Sequence, residues 1–401
     1  MTKRILFVDD EPMVLSGLER SLRAMRREWE MQFVLGGPEA LQAMAHAPFD
    51  VVISDMRMPG MNGAQLLEIV KKHFSQTVRM VLSGQSDRDT VFRSTKPTHQ
   101  YLSKPCDVEE LKQKLIRALA LRDLLHNPRL KQIVSQIEAV PSLPSLCESL
   151  TEILLRSDPP VSEVAEIVSR DMGMTAKVLQ LVNSAFLGVA SSQCDPRRAV
   201  AIIGVDNLKA LVLSLDLFAE ASAELTGQLQ DLWDHSCTIA AYARAIALAE
   251  GLEENGAQAA FTAGLLHDIG CLVLASSCGE EYAAVLRAAD TQRISVVESE
   301  FAAFHSTHAQ VGAYLLGLWG LPDPIVEAVA WHHEPAQAHP ESFSPLLAVH
   351  GADLCYHRLR AASPAAGAIE LQPLESFGLQ DRLPLWEKAC RQVTEMGDSH
   401  V

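Results

Sequence analysis

The first 125 residues alternate between short apolar runs and longer amphipathic segments, and this alternation restricts the fold more than any other feature of the sequence. RILFV is followed by LSGLERSLRAM, DVVISD by AQLLEIVKKH, and YLSKP by VEELKQKLIRALALRDLL. Apolar runs separated by segments of helical length predict repeated βα units. Such units build a parallel sheet that binds ligands at the carboxyl ends of its strands. We therefore predict a doubly wound α/β domain over residues 1–125.

Polar side chains close the predicted strands along one rim of this sheet. Asp9 and Asp10 follow the first strand, Asp55 the third, Ser83 the fourth and Lys104 the fifth. Clustered carboxylates repel one another unless a cation neutralises them, and Mg²⁺ prefers oxygen ligands. A carboxylate beside that ion can attack a phosphoryl group, whose oxygens a hydroxyl and an ammonium can bind. The alternative is that the acidic residues form solvated turns, but the number of matching strand ends favours a phosphate-accepting site.

Four strings in this region, FVDDE, VVISDMRMPGMNG, VLSG and YLSKP, resemble the signature blocks of the response-regulator receiver domain. The resemblance covers about residues 2–125 and implies a flavodoxin-like fold with Asp55 as the phosphoacceptor. The implied ligands of Mg²⁺ are Asp9, Asp10, Asp55 and the backbone carbonyl of Arg57. The implied switch and phosphate-contacting residues are Ser83, Tyr101 and Lys104. The implied partners are a cognate histidine kinase and a downstream signalling protein.

From about residue 126 the alternation stops and helical spacing takes over. MTAKVLQLVNSAFLG and GAQAAFTAGLLHDIG carry apolar residues three and four positions apart, as expected for amphipathic helices. The small-residue strings AAYARAIALA and GAYLLGLWG suit close packing between helices. We predict an all-α output domain over residues 126–345, and a helical extension over residues 346–401 that packs on it.

Histidines are concentrated in this second half, since nine of the fourteen lie between His235 and His357. Imidazole and carboxylate together suit Zn²⁺, Fe²⁺, Mn²⁺ or Ni²⁺. The alternative is that each histidine is a hydrogen-bonded residue of helix packing, and the sequence leaves both interpretations open. The candidate metal ligands are Asp231, His235, His267, Asp268, His305, His308, His332, His333 and Asp353.

Several strings of the second half occur in the order typical of the HDOD family, the HD-related output domains of bacterial signalling proteins. They include VPSLPSL, VSRDMGMTAKVLQLVNSAFLG, FTAGLLHDIG and HAQVGAYLLGLWGLPDPIVEAVAWHHEP. The resemblance covers about residues 130–340 and implies an HD-type helical bundle. It also implies a regulatory role through protein–protein interaction, because the family has no established catalytic role.

The nearly complete set of HD-type ligand positions keeps an enzymatic alternative open. In that case the output domain is a metal-dependent phosphodiesterase or phosphohydrolase for a cyclic dinucleotide or nucleotide, with metal-bound water as nucleophile. Two departures from the cyclic-di-GMP-cleaving HD-GYP relatives count against it. Cys271 replaces their lysine, and the sequence after HHE runs PAQAHPESF without a GYP block. We therefore expect a phosphorylation-switched regulator that acts through binding.

Composition and charge exclude several other classes. The formal net charge of −16 and the pI of about 5.3 oppose direct binding to DNA. The N-terminal MTKRILFVDDE is too polar for a signal-peptide core, and no run of eighteen uncharged apolar residues occurs, so we expect a cytoplasmic protein without membrane spans. The eight scattered cysteines form no CxxC pair and are expected to be reduced thiols. Homodimerisation is left open.

Overall fold

The computed structural model describes residues 2–83, 98–104, 107–156, 158–184, 192–215, 218–221, 223–360 and 372–398. Contacts divide the chain into two compact units. The first is built on residues up to Glu138 and the second on residues from Ala139 onward. Residues 180–184 and 314–320 also group with the first unit, although the helices Met172–Asn183 and His308–Leu318 begin in the second and are described with it.

The first unit is a five-stranded parallel sheet with its helices. The strands are β1 (Lys3–Val8), β2 (Trp29–Val34), β3 (Val51–Asp55), β4 (Val78–Ser83) and β5 (Gln100–Ser103). The described helices are α1 (Pro12–Ser21), α2 (Gly37–His46), α3 (Gly63–His73), α4 (Val108–Leu124) and α5 (Pro128–Val134). The strand order is β2-β1-β3-β4-β5, with every pair parallel. This confirms the predicted doubly wound α/β fold of the flavodoxin-like type.

The strand order brings the acidic strand ends together. All five residues of β3 are buried, as expected for a central strand of a parallel sheet that is covered on both faces. The order along the sheet reverses beside β1, so the carboxyl ends of β1 and β3 border the crevice where such sheets bind ligands. Asp9 follows β1 directly and Asp55 is the last residue of β3.

A glycine allows the chain to turn back close to Asp55. Asn62 caps α3 through a capping box with Gln65, and the N–H of Gly63 donates to the carbonyl of Met56 at 3.0 Å. A Cβ atom at Gly63 would overlap the backbone carbonyl of Asp55. The loop between β3 and α3 therefore depends on a residue without a side chain at this position.

The second unit is almost entirely helical. Its helices are α6 (Pro144–Leu154), α7 (Val161–Val168), α8 (Met172–Asn183), α9 (Pro196–Ile203), α10 (Val205–Leu215), α11 (Ala223–Ala249), α12 (Glu254–Leu266), α13 (Ile269–Gln292), α14 (Val296–Phe304), α15 (His308–Leu318), α16 (Asp323–Trp331), α17 (Pro345–Arg360), α18 (Gln372–Ser376) and α19 (Leu383–Asp398). A short parallel pair, β6 (Pro141–Ser142) and β7 (Ala219–Glu220), accompanies them. The predicted all-α fold class of the output domain is confirmed.

Helix α11 lies at the centre of this bundle. It packs against α12, α17 and α19, while α16 packs against α12 and α17. Small side chains such as Ala240, Ala243 and Ala260 are completely buried in these contacts. They let the helix axes approach closely, as the small-residue strings predict. The ends of α12 and α16 are thereby brought beside α17.

One apolar stretch, Glu254–Gln292, is long enough to cross a membrane by length and composition, with a mean hydropathy of 1.5. The share of its most apolar window that is buried inside the protein is 72%. Core helices of a folded bundle meet the same criterion, so this stretch is weak support for a membrane span. The expected cytoplasmic location stays a prediction.

We predict that Gly63→Ala lowers the free energy of unfolding by about 1–3 kcal/mol, because the new methyl group overlaps the Asp55 carbonyl. Urea unfolding followed by circular dichroism measures the change. Gly17→Ala is the matched control, since a Cβ atom at this position in α1 meets nothing within 4 Å. The control should leave stability unchanged or raise it by up to about 1 kcal/mol. Equal stabilities of the two variants would contradict the role given to Gly63.

Candidate functional sites

Two carboxylates and one lysine meet at the carboxyl ends of β1, β3 and β5. The Nζ atom of Lys104 donates to Asp9 Oδ2 at 2.8 Å and forms an ion pair with Asp55. Asp9 is only 1% exposed and Asp55 only 7%. Because burial of unpaired carboxylates is strongly unfavourable, the ammonium group stabilises both side chains.

Backbone groups fix the orientation of the two carboxylates. The N–H of Arg57 donates to Asp55 Oδ2 at 2.7 Å, and the N–H of Glu11 donates to Asp9 Oδ1 at 2.9 Å. Burial raises the pKa of Asp55, and the hydrogen bond and charge of Lys104 act in the opposite direction. The oxygens of Asp55 therefore face one cation and one backbone donor.

The remaining predicted receiver residues lie in β4 and β5 or just after β1. Asp10 is partly buried beside Asp9, and Tyr101 is 7% exposed within the hydrophobic core of the sheet. Burial raises the pKa of the Tyr101 phenol. Ser83 ends β4 in register with Ser103, but its side chain lies outside the part of the chain that the structure describes. The roles of these residues on phosphorylation stay predictions.

In the second unit, seven of the predicted metal ligands converge on one place. They are His235, His267, Asp268, His308, His332, His333 and Asp353. We call this set the histidine cluster. Both oxygens of Asp268 are used: Oδ2 lies 3.2 Å from His267 Nε2 and 3.8 Å from His235 Nε2. Oδ1 lies 3.2 Å from His308 Nε2 and 3.7 Å from His332 Nε2. Asp268 thus bridges two groups of imidazoles.

Six helices bring the histidine cluster together. His235 lies on α11, His267 follows α12, Asp268 precedes α13, His308 begins α15, His332 and His333 follow α16, and Asp353 lies on α17. A Cβ atom at Gly270 would overlap the carbonyl of His308. The glycine two residues after Asp268 therefore allows the starts of α13 and α15 to touch, which places Asp268 next to His308.

Second hydrogen bonds turn two of these imidazoles toward Asp268. His267 Nδ1 donates to the carbonyl of Gly264 at 2.7 Å, and His332 Nδ1 to that of Val329 at 2.9 Å. Because a carbonyl can only accept, Nδ1 carries a proton in each ring, and Nε2 is the nitrogen that faces the cluster. Histidines that bind metals are commonly oriented in this way.

Nitrogen atoms face one another inside the cluster. His308 Nε2 and His333 Nε2 are 2.9 Å apart, and His235 Nε2 and His267 Nε2 are 3.2 Å apart. His332 is 1% exposed, and its Nε2 has no hydrogen-bond partner among the described residues. Burial, together with His333, holds the pKa of His332 well below its usual range, and burial lowers the pKa of His235 to about 4. Neutral imidazoles that share a common centre fit a transition-metal site.

The sequence reasoning missed Glu300. Its side chain is completely buried on α14, and Oε2 accepts from both Nδ1 and the backbone N–H of His308 at 2.8 Å. Its Oε1 accepts from the hydroxyl of Tyr282 at 2.9 Å. No spacing pattern links Glu300 to the histidines, because it belongs to the preceding helix. His357, whose Nε2 lies 3.4 Å from Asp353 Oδ1, follows Asp353 by one helical turn and could have been found from that spacing.

The structure places two candidate ligands outside the histidine cluster. Asp231 is exposed one turn before His235, although both lie on α11. His305 is exposed in a left-handed conformation, with φ of 51°, where α14 ends. Neither belongs to a group of described residues able to hold a metal ion. His308 therefore belongs to the histidine cluster, and His305 does not.

Cys271 lies in the first turn of α13, close to His308 and Glu300. Burial raises the pKa of its thiol to about 11. The side chain is therefore neutral at physiological pH. It cannot supply the positive charge that a lysine would bring to a bound phosphate.

Comparison with known families identifies both units. The response regulator receiver domain matches residues 5–116, and the HDOD domain matches residues 140–335. A receiver followed by an output domain defines a two-component response regulator. This chain is one of those whose output domain belongs to the HDOD family.

Individual proteins are similar to parts of this chain. An uncharacterized protein of Treponema pallidum (strain Nichols) is 26% identical over 54% of this chain and 41% of its own length. The response regulator protein PilR of Pseudomonas aeruginosa is 30% identical over 30% of this chain and 27% of its own. The chain thus spans less than half of these two relatives. A crystal structure of the MmoQ response regulator from Methylococcus capsulatus covers 64% of this chain and 98% of that one, with a TM-score of 0.50 and 21% identity, and shows the fold alone.

We predict that Glu300→Ala lowers the free energy of unfolding by about 3–5 kcal/mol, because it leaves His308 and Tyr282 buried without their partner. Glu300→Gln retains a hydrogen-bonding side chain of the same size and should have a smaller effect. Glu280→Ala removes an exposed carboxylate on α13 and is the control, with an effect within about 0.5 kcal/mol. Urea unfolding of the three variants measures these differences. A Glu300→Ala protein as stable as the control would contradict the role of Glu300.

Proposed function

We propose that this response regulator is switched by transfer of a phosphoryl group from a cognate histidine kinase to Asp55. The observation that supports this most is the position of Lys104, which contacts both Asp9 and Asp55. The ammonium group neutralises buried negative charge before transfer and lies where a phosphoryl oxygen on Asp55 needs a cation afterwards. Phosphorylation then alters the contacts of the HDOD output domain with a downstream signalling protein.

Few groups of the protein take part in the transfer of the phosphoryl group to Asp55. A carboxylate oxygen of Asp55 attacks the phosphorus, the bond to the kinase histidine breaks, and its imidazole leaves as the free side chain. The Arg57 N–H holds the second Asp55 oxygen during attack, and Lys104 then moves its contact to the phosphoryl group. The residues that would hold Mg²⁺ are Asp9, Asp10, Asp55 and the Arg57 carbonyl. When bound, this ion supplies charge neutralisation for the phosphoryl oxygens.

We predict that the protein incubated with acetyl phosphate and Mg²⁺ gains the mass of one phosphoryl group and that Asp55→Asn abolishes the gain, because an amide is not a nucleophile for phosphorus. Intact-protein mass spectrometry measures the labelling. Asp123→Asn removes an exposed carboxylate that pairs with Lys3 and should be labelled as the unsubstituted protein is. Persistent labelling of Asp55→Asn would refute the assignment of Asp55.

We further propose that the output domain binds a transition-metal centre, with Fe, Mn, Zn or Ni as the candidate ions. The bridging geometry of Asp268 supports this, since each of its oxygens faces a separate group of imidazoles. One ligand group consists of His235, His267 and Asp268, with Asp353 at 3.7 Å from His235. The other consists of Asp268, His308, His332 and His333. Two ions sharing one carboxylate are a known arrangement in metallohydrolases.

A regulatory role is favoured over turnover. When bound, metal ions at such a site can supply an activated water for hydrolysis of a cyclic dinucleotide or nucleotide, and this is the second candidate function. Cys271, however, brings no positive charge, and no lysine or arginine pairs with Asp268 or Asp353 among the described residues. Hydrolysis of cyclic dinucleotides by metal-loaded protein would establish the enzymatic function. Bound metal without turnover would support the regulatory role.

We predict that the purified protein carries at least one equivalent of transition metal, measured by inductively coupled plasma mass spectrometry. His308→Asn should lower the metal content at least about tenfold, because it removes a ligand and its orienting bond to Glu300. His305→Asn is the matched control three residues away; asparagine tolerates its left-handed conformation, and the metal content should not change. Protein without metal, or equal loss in both variants, would contradict the proposed centre.

A further inference from the structure

A cavity of about 460 Å³ lies between α14, the start of α15 and the end of α16. Its volume is within the range of small-molecule binding sites, which is roughly 300–1,000 Å³. Most of its wall is apolar, and two aromatic side chains contribute. The apolar lining residues are Val297, Phe301, Ala302, Ala309, Ala330 and Trp331.

Most polar side chains of the cavity already have partners. Glu298 accepts from the N–H of Ser295 and caps α14, while Thr307 and Gln310 accept from the backbone N–H groups of each other. His333 contacts His308 in the histidine cluster. The remaining polar lining residue is Glu334, whose carboxylate has no hydrogen-bond or ion-pair partner among the described residues. The group left to pair with a ligand is therefore negatively charged.

The charge of the lining selects the class of ligand. Glu298 and Glu334 are both exposed acidic residues, and no lysine or arginine lines the cavity within the described chain. Such a site repels phosphates and carboxylates and attracts cations. Phe301 is 55% exposed and meets the ring of His305 at an interplanar angle of 81°, with the centroids 6.2 Å apart, so more than half of its surface is open to a ligand. Aromatic rings favour both apolar groups and cations.

We propose that this cavity binds a small cationic ligand, an amine with an aromatic or other apolar body. The apolar body lies against Phe301 and Trp331, and the ammonium group pairs with Glu334. His333 belongs both to the cavity wall and to the histidine cluster, so a bound ligand contacts a residue of the output site. A ligand bound in this cavity thus acts on the output domain independently of the phosphorylation of Asp55. This inference goes beyond the proposed function, because it requires neither a phosphoryl group nor a metal.

The test compares two probes of similar shape and opposite charge, 2-phenylethylamine and 3-phenylpropionate. Each is titrated into the full chain after removal of metals with a chelator, and binding is followed by ligand-observed nuclear magnetic resonance. We expect the amine to bind about tenfold more tightly than the carboxylate, since a partly exposed charge contact accounts for roughly that factor. Absence of amine binding, or equal or tighter binding of the carboxylate, would overturn the proposal.

Three variants test whether the probes bind in this cavity. Glu334→Gln should remove the preference for the amine, and Ala302→Trp should block both probes by filling the cavity from its exposed side. Glu341→Gln removes an exposed carboxylate that does not line the cavity and should change neither affinity. The proposal fails if Glu334→Gln binds both probes as the unsubstituted protein does, or if Glu341→Gln weakens amine binding as much. Because both titrations are made after removal of metals, their outcome is separate from the fate of the metal centre.

Discussion

The structure of the output domain depends on the position of Asp268, a carboxylate with 15% of its side chain exposed and histidines on both of its oxygens. A largely buried carboxylate needs a positive charge nearby, because the loss of hydration is otherwise uncompensated. Burial raises the pKa of Asp268, but His267 and His308 hold it well below the usual range. The same positive charge can come from protons on these imidazoles or from a metal ion that replaces them. A metal therefore fits an electrostatic requirement that the fold already has.

The receiver domain meets a related requirement with different chemistry. There, Lys104 supplies the positive charge between Asp9 and Asp55, and the other available ligands are oxygen atoms. Oxygen ligands favour a hard ion such as Mg²⁺, whereas the imidazoles around Asp268 favour softer transition metals. The two proposed metal sites thus differ in the cations that they favour, and the amine proposed for the cavity beside His333 contacts a residue of the second site.

Sequence patterns were sufficient to predict the fold and most residues of the two candidate sites. The alternation of apolar runs predicted the parallel sheet, and Asp9, Asp55 and Lys104 converge because the carboxyl ends of parallel strands share an edge. The choice between His305 and His308 could not be made from spacing, since a left-handed residue separates the two helices. Glu300 was missed because its contact with His308 depends on how α14 packs. Tertiary packing determines which of His305 and His308 joins the cluster and which residue contacts His308. Local sequence patterns do not encode this packing.

The most direct measurement is anomalous X-ray diffraction from crystals of the full chain grown with Mn²⁺. We expect an anomalous peak between Asp268, His308 and His333, about 2.0–2.3 Å from the ligand atoms. In that structure the Nε2 atoms of His308 and His333 should point at the ion instead of at each other. A map without a peak, in which these two nitrogens keep their direct contact of 2.9 Å, would contradict the account.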